Sequence, residues 1–128
     1  MTSNTPCGRW TSAELRYLDA SRELEIAARR VSGDPATWTT IWVVVVEDEV
    51  FVRTWHRRTT GWYGRAVKSA RASIRVAGHS VDVIVTVTGG TASDAVDAAY
   101  RTKYGVAGAQ SMTTAEASAS TLRLTRAS

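Results

Sequence analysis

The 128-residue sequence predicts an α+β domain, a small antiparallel barrel of six strands with about three short helices at its margins. Two stretches carry paired runs of period-two hydrophobicity around turn residues, the mark of hairpins. Three others read as short helices, and they do not alternate with the strands in the β-α-β order that builds a parallel sheet. At 44% hydrophobic and 22% charged, the chain suffices for one core and not for two. Residues 1–9 accordingly read as a loose polar tail and residues 10–128 as a single domain.

In chain order, "TSAE" opens the first helix. Thr11 is the N-cap, Glu14 completes a capping box, and Leu15 and Leu18 then share a face. "ELEIAARRV" switches to period two, with Leu24, Ile26 and Ala28 on one side and Glu23, Glu25 and Arg29 on the other. After the turn residues Ser32 to Pro35, "TWTTIWVVVV" reads as one β-branched strand whose centre, Val43 to Val46, is buried on both faces. Glu47-Asp48-Glu49 reverses the chain into "VFVRT" and makes a hairpin. "GWYGRAVKSA" brings Trp62, Ala66 and Ala70 to one side of a second short helix. "SIRVAGHSVDVIVTV" gives the clearest hairpin, with its turn at Gly78-His79 and Val81, Val83, Val85 and Val87 in strict alternation. "TASDAVDAAYRTKYG" is a capped helix with Thr91 and Asp94 at its start, Val96, Tyr100 and Tyr104 on one stripe and Gly105 as C′. Residues 106–120 read as a loop, and "STLRLTR" as a last strand with Leu122 and Leu124 inward.

Charge is unevenly placed. Between Glu49 and Asp82 no carboxylate occurs, yet Arg53, Arg57, Arg58, Arg65, Lys68, Arg71 and Arg75 all fall there. The remainder holds nine bases against twelve acids, so the net +4 comes from one basic segment on a mildly acidic chain. Such a field calls for an anionic partner, whether a phosphate, a nucleic acid or an acidic surface. Fourteen of the sixteen bases are arginine, which suits bidentate phosphate contacts, although a compositional bias gives the same ratio.

Several chemistries are disfavoured. His56 and His79 have no Cys, His or carboxylate neighbours at ligand spacing, so no metal site is expected. The lone Cys7 excludes an internal disulfide and fits a reducing, cytoplasmic setting. No apolar run approaches the roughly 18 to 20 residues of a membrane span, and "MTSNTPCGRW" lacks the apolar core of a signal peptide. There is no nucleophile elbow, phosphate loop or dinucleotide fingerprint. An enzyme built from these side chains would need a cofactor to carry its chemistry.

The basic loop offers a place for one. Arg53 and Thr54 sit at the exit of a strand, where side chains can reach out of the barrel, and Arg57, Arg58, Thr59 and Thr60 add donors. A helix beginning near Gly61 aims its free amides into the same space, with Trp62 and Tyr63 at its first turn beside a ring system. The default reading of an exposed arginine is a solvated one, and that of Trp62 or Trp42 a core residue. Seven successive bases without an acid favour a site, because a merely solvated face mixes its signs.

Two stretches, "AARRVSGDPATWTTIWVVVVEDEVFVRT" and "GWYGRAVKSARASIRVAGHSVDV", resemble the split β-barrel family of flavin and deazaflavin enzymes, which includes the pyridoxamine-phosphate-oxidase-like proteins. Within it the likeness is to the deazaflavin-dependent nitroreductases and a related bacterial family of unknown function. It covers about residues 24–88, and the "DAVDAAYRTKYG" helix and "STLRL" strand also look like the latter family. Arg29-Arg30, Thr39-Thr40, the hairpin from Val43 to Arg53, Arg57-Arg58 and Trp62-Tyr63 fall at the family's motif positions. The resemblance implies FMN or the 8-hydroxy-5-deazaflavin coenzyme in a groove at a homodimer interface. Cofactor contacts would come from Arg30, Thr39, Thr40, Arg53, Thr54, Arg57, Arg58, Trp62 and Tyr63. It further implies hydride transfer between that ring and a small organic substrate. No catalytic group is marked; Tyr63 is the one side chain offered as a proton donor. A nucleic-acid-binding barrel, with Trp55, Trp62 and Tyr63 stacking bases, and a non-catalytic cofactor carrier stand as alternatives.

Overall fold

The computed structural model of the chain describes residues 10–28, 38–54, 61–76, 78–88, 93–114, 117 and 119–127. Its elements are α1 (Ser12–Ala20), β1 (Glu23–Ala28), β2 (Thr39–Trp42), β3 (Val44–Val46), β4 (Glu49–Val52), α2 (Gly61–Ser69), β5 (Arg71–Val76), β6 (His79–Val87), α3 (Ser93–Tyr104) and β7 (Leu122–Arg126). A 3-10 helix, Gln110–Met112, interrupts the expected loop before β7.

All strand pairs are antiparallel, in the order β2-β1-β5-β6-β7-β4-β3. The two outermost strands, β2 and β3, are consecutive in the chain and separated only by Val43. One bent segment therefore serves both edges of the sheet, and the sheet curls into a nearly closed barrel. The single strand expected over this segment is thus two, which raises the described count from six to seven. The break has a geometric cause: the first half pairs with β1 and the second with β4. At the join Val43 leaves both ladders and turns its backbone to α3. Its N–H donates to the Tyr104 hydroxyl (3.3 Å), and its carbonyl accepts from Lys103 Nζ (2.7 Å).

Directly opposed residues share a face, so the registers identify the inward rows. Ile26 and Ile74 are partners, as are Val85 and Leu124, and all four belong to the barrel core. α1 covers one end of that core. Its capping box forms as expected, Thr11 N–H to Glu14 Oε1 at 2.9 Å and Glu14 N–H to Thr11 Oγ1 at 3.1 Å, and it buries Leu18. At the other end α2 contributes Tyr63 and Ala66. Ala70 does not extend the buried face of α2, as the i, i+8 spacing suggested. It is exposed, with a left-handed φ of +59°, and ends the helix by donating its N–H to Ala66 O at 2.8 Å.

α3 lies on the outside of the barrel. Its stripe of Val96, Tyr100 and Tyr104 is buried, as expected, against Val44 and Phe51, the outward neighbours of inward Val43, Val50 and Val52. Gly105 (φ +82°) closes the helix with an N–H bond to Arg101 O at 2.9 Å. Two further turns are refined. Glu47 (φ +48°) and Asp48 (φ +67°) are both left-handed, the two-residue geometry that matches the twist of a hairpin. His79 does not sit in the β5–β6 turn; it is the first residue of β6 and pairs with Val76, and left-handed Gly78 (φ +83°) makes the reversal.

Candidate functional site

β4 runs out at the end of the barrel that α2 covers, and the alternation along β4 decides where its last side chains go. Val50 and Val52 point inward, so Phe51 faces α3, and Arg53 follows it to the same side. The Arg53 side chain leaves the barrel, as expected at this strand exit, but α3 and the segment before β7 close over it. Arg53 is fully buried. Its Nε donates to Thr121 Oγ1 at 2.8 Å, and one terminal nitrogen donates to Asp97 Oδ1 at 2.5 Å and to Met112 O at 2.6 Å. The guanidinium also lies 5.5 Å from the centre of the Tyr100 ring. Burial drives the Tyr100 hydroxyl's pKa well above the ordinary tyrosine range, against the pull of the Arg53 charge. That hydroxyl has no hydrogen bond of full geometry among the described residues.

Thr54 is buried as well. Its N–H donates to Ser120 Oγ at 3.0 Å, and Ser120 Oγ lies 2.9 Å from the Thr54 carbonyl, which continues the β4–β7 pairing past its last register pair. Asp97, Tyr100, Ser120 and Thr121 are thus neighbours of the site that the sequence alone does not assign. One signal was available, since Arg53 shares a strand face with Phe51 and must go under whatever covers that ring.

Among the other expected site residues, Trp62 is half-buried in the first turn of α2 and meets Tyr63 edge-on, centroids 5.6 Å apart at 80°. Tyr63 is 7% exposed and belongs to the barrel core. Thr39 and Thr40 lie on β2 with opposite facing. Thr39 pairs with inward Ile26, while Thr40 is exposed and pairs with Glu25, so the two do not present one surface. The structure therefore sets Arg53 under α3, Thr54 against Ser120, Trp62 and Tyr63 with the barrel core, and Thr40 on the outer wall. Arg30, Arg57 and Arg58 lie outside the described residues.

The basic segment is also less free than its sequence suggested. Arg53 is paired with Asp97, and Arg75 with Glu25 at 2.9 Å, where its guanidinium also stacks 4.2 Å from the centre of the Trp38 ring. Both acids come from outside the run. Arg65, Lys68 and Arg71 are exposed and make no ion pair among the described residues. Arg65 and Lys68 lie on α2 and Arg71 just after it; the helix has no acid in its first turn and leaves Val67 38% exposed beside them. Among the described residues no group of three or more His, Cys, Asp or Glu side chains is placed to hold a metal, and no helix is long and apolar enough to cross a membrane.

A family model described as an uncharacterized protein conserved in bacteria (DUF2255) matches residues 14–124. No curated protein matches the chain. Among solved structures, the conserved hypothetical protein Rv2991 from Mycobacterium tuberculosis is similar at a TM-score of 0.61 and 16% identity, over 97% of this chain and 84% of that one. HutZ, described as the heme storage protein from Vibrio cholerae, is similar at a TM-score of 0.58 and 12% identity, over 92% and 88% of the two chains. At these identities the likeness is one of fold, and it supports a split barrel.

Proposed function

The chain belongs to the DUF2255 family, and from that premise we propose that it binds a planar, phosphate-bearing ring cofactor, FMN or an 8-hydroxy-5-deazaflavin coenzyme, at the end of the barrel headed by α2. The carrying observation is the character of that helix. It opens with half-buried Trp62 directly after the basic loop, has no acid in its first turn, and shows Arg65, Lys68 and the adjacent Arg71 to solvent without ion-pair partners among the described residues. Trp62, held edge-on by core Tyr63, offers an apolar wall for a ring. The exposed bases and the helix amides favour a phosphate.

The bound ring would supply two-electron chemistry, a hydride passing to or from a small organic substrate. The chain's own part is to orient the ring and hold its charge. Arg53 contributes differently. Locked to Asp97, Thr121 and Met112, it fixes where β4 ends and so where the basic loop departs. The family resemblance adds a homodimer with the cofactor at its interface, which sedimentation velocity checks.

The likeness to HutZ favours a second reading, carriage or storage of a planar ring without turnover. Titrating the protein with FMN, the deazaflavin coenzyme and hemin, followed by ring absorbance and tryptophan quenching, separates the two. Saturable micromolar binding of a flavin-type ring that weakens about tenfold in Arg65→Ala/Lys68→Ala/Arg71→Ala supports the proposal. Preference for hemin, or no change in the triple variant, removes it. Binding to DNA or RNA that falls steeply with salt would point instead to nucleic acid.

A further inference from the structure

We propose that the mouth of the barrel beneath α1, at the end away from α2, is a second binding site, one that takes a small uncharged aromatic molecule of about two fused rings. The inward rows of the sheet do not stop where the barrel closes. On β5, Ile74 is packed in the core, but the next inward residue, Val76, is only half-buried. Its partner across the hairpin, His79, is exposed, and Val81, the partner of Ile74, is half-buried. On β7 the inward row of Leu122 and Leu124 ends in Arg126, which pairs with Val83. The β5–β6 hairpin thus overhangs the end of the core.

α1 spans this overhang without filling it. It presents Ala13 and Tyr17, one turn apart, and ties down through Glu14, whose Oε2 accepts from Arg126 Nε at 3.0 Å. Trp10 stands at the edge, fixed by its indole N–H bond to Leu124 O at 3.0 Å. Between helix and hairpin lies a concave space of about 380 Å³. The methyl group of Ala13 leaves it open, and the Tyr17 ring, 49% exposed, stands at its lip.

Size, lining and charge together define the ligand. Barrel mouths are recurrent ligand sites, with volumes of roughly 300 to 1,000 Å³. An apolar cavity of about 150 Å³ holds one benzene, so this space takes about two rings. The walls are mainly aliphatic and aromatic, which suits a flat apolar body. The two oppositely charged lining residues, Glu14 and Arg126, are paired with each other, so nothing in the lining calls for a charged ligand. His79 at the hairpin tip, on the same face as Val76, provides a hydrogen-bonding partner for a ring nitrogen or hydroxyl.

The test is a titration of the uniformly ¹⁵N-labelled full chain with indole and with 2-naphthol, read by amide and indole resonances. The expected result is saturable shifts confined to Ala13, Tyr17, Val76, Ser80 and the Trp10 indole N–H. Ala13→Trp fills the space from an exposed helix position and should weaken binding by about tenfold or more, and Tyr17→Ala by about threefold. Each variant must keep the dispersed spectrum of the parent. Scattered or unsaturable shifts, or undiminished affinity in folded Ala13→Trp, overturn the proposal. So does a concentration-dependent shift of the same amides in probe-free protein, which would show a second copy seated in the mouth. Titration with FMN reports at Trp62 and Arg65 of α2, so failure there and failure here are read separately.

Discussion

A guanidinium without access to water must find its acceptors inside the protein, and Arg53 finds them on three separate stretches: the side chain of Asp97, the carbonyl of Met112 and the hydroxyl of Thr121. Replacing one member of such a pair leaves the other buried without compensation, a loss of about 3 to 5 kcal/mol. Asp97 keeps 18% of its side chain in contact with water, which places Arg53→Met towards the lower end of that range. Arg53→Met combined with Asp97→Leu should recover most of the loss, because no stranded charge remains. Arg65→Ala, on the exposed face of α2, should change stability by less than about 0.5 kcal/mol. Urea unfolding of the four proteins checks this, and an Arg53→Met protein as stable as the parent would show that the pair does not hold α3 in place.

At the scale of elements, the seam of the barrel depends on α3. The Tyr104 hydroxyl accepts from Val43 N–H, lies 2.5 Å from the Arg22 carbonyl as donor, and its ring stacks on Trp42 with centroids 4.1 Å apart. Tyr104→Phe keeps the stack but strands backbone groups at the one point where both ladders are interrupted. It should cost about 1 to 3 kcal/mol, measured by thermal or urea unfolding. This seam also marks the limit of what the sequence revealed. The capping box of α1, the period-two rows of β1, β6 and β7, and the Val96-Tyr100-Tyr104 stripe were legible because each is written in residues close along the chain. The break at Val43 was not, since "TWTTIWVVVV" is uniformly suited to a strand and only closure of the sheet divides it. The candidate site was half legible for the same reason. The absence of acids between Glu49 and Asp82 is plain in the sequence, but Asp97 and Glu25 reach Arg53 and Arg75 from 44 and 50 residues away.

Because α3 closes the seam, ionisation on that helix should be felt by the whole molecule. Burial raises the pKa values of both Tyr100 and Tyr104. The unfolded chain releases these protons from about pH 10 upward, while the folded chain retains them. Folded protein then binds more protons than unfolded, so stability is intact below about pH 10 and declines as pH rises through the window up to the raised values, by at most about 1.4 kcal/mol per pH unit for each group. Lys103 has the opposite sign. Its pKa is lowered by burial, so its contribution is present above about pH 10.4 and is lost as pH falls through its folded value. The two effects predict stability that is sustained into mildly alkaline solution and then drops steeply. Tyr100→Phe removes the more deeply buried of the two hydroxyls, one without a full hydrogen bond among the described residues, so it should match or slightly exceed the parent at pH 8. Above pH 10 its unfolding free energy should fall less steeply than the parent's. Urea unfolding at half-unit steps from pH 8 to 11.5 measures both slopes, and identical slopes would mean that the Tyr100 hydroxyl does not couple the closure of the barrel to alkaline pH.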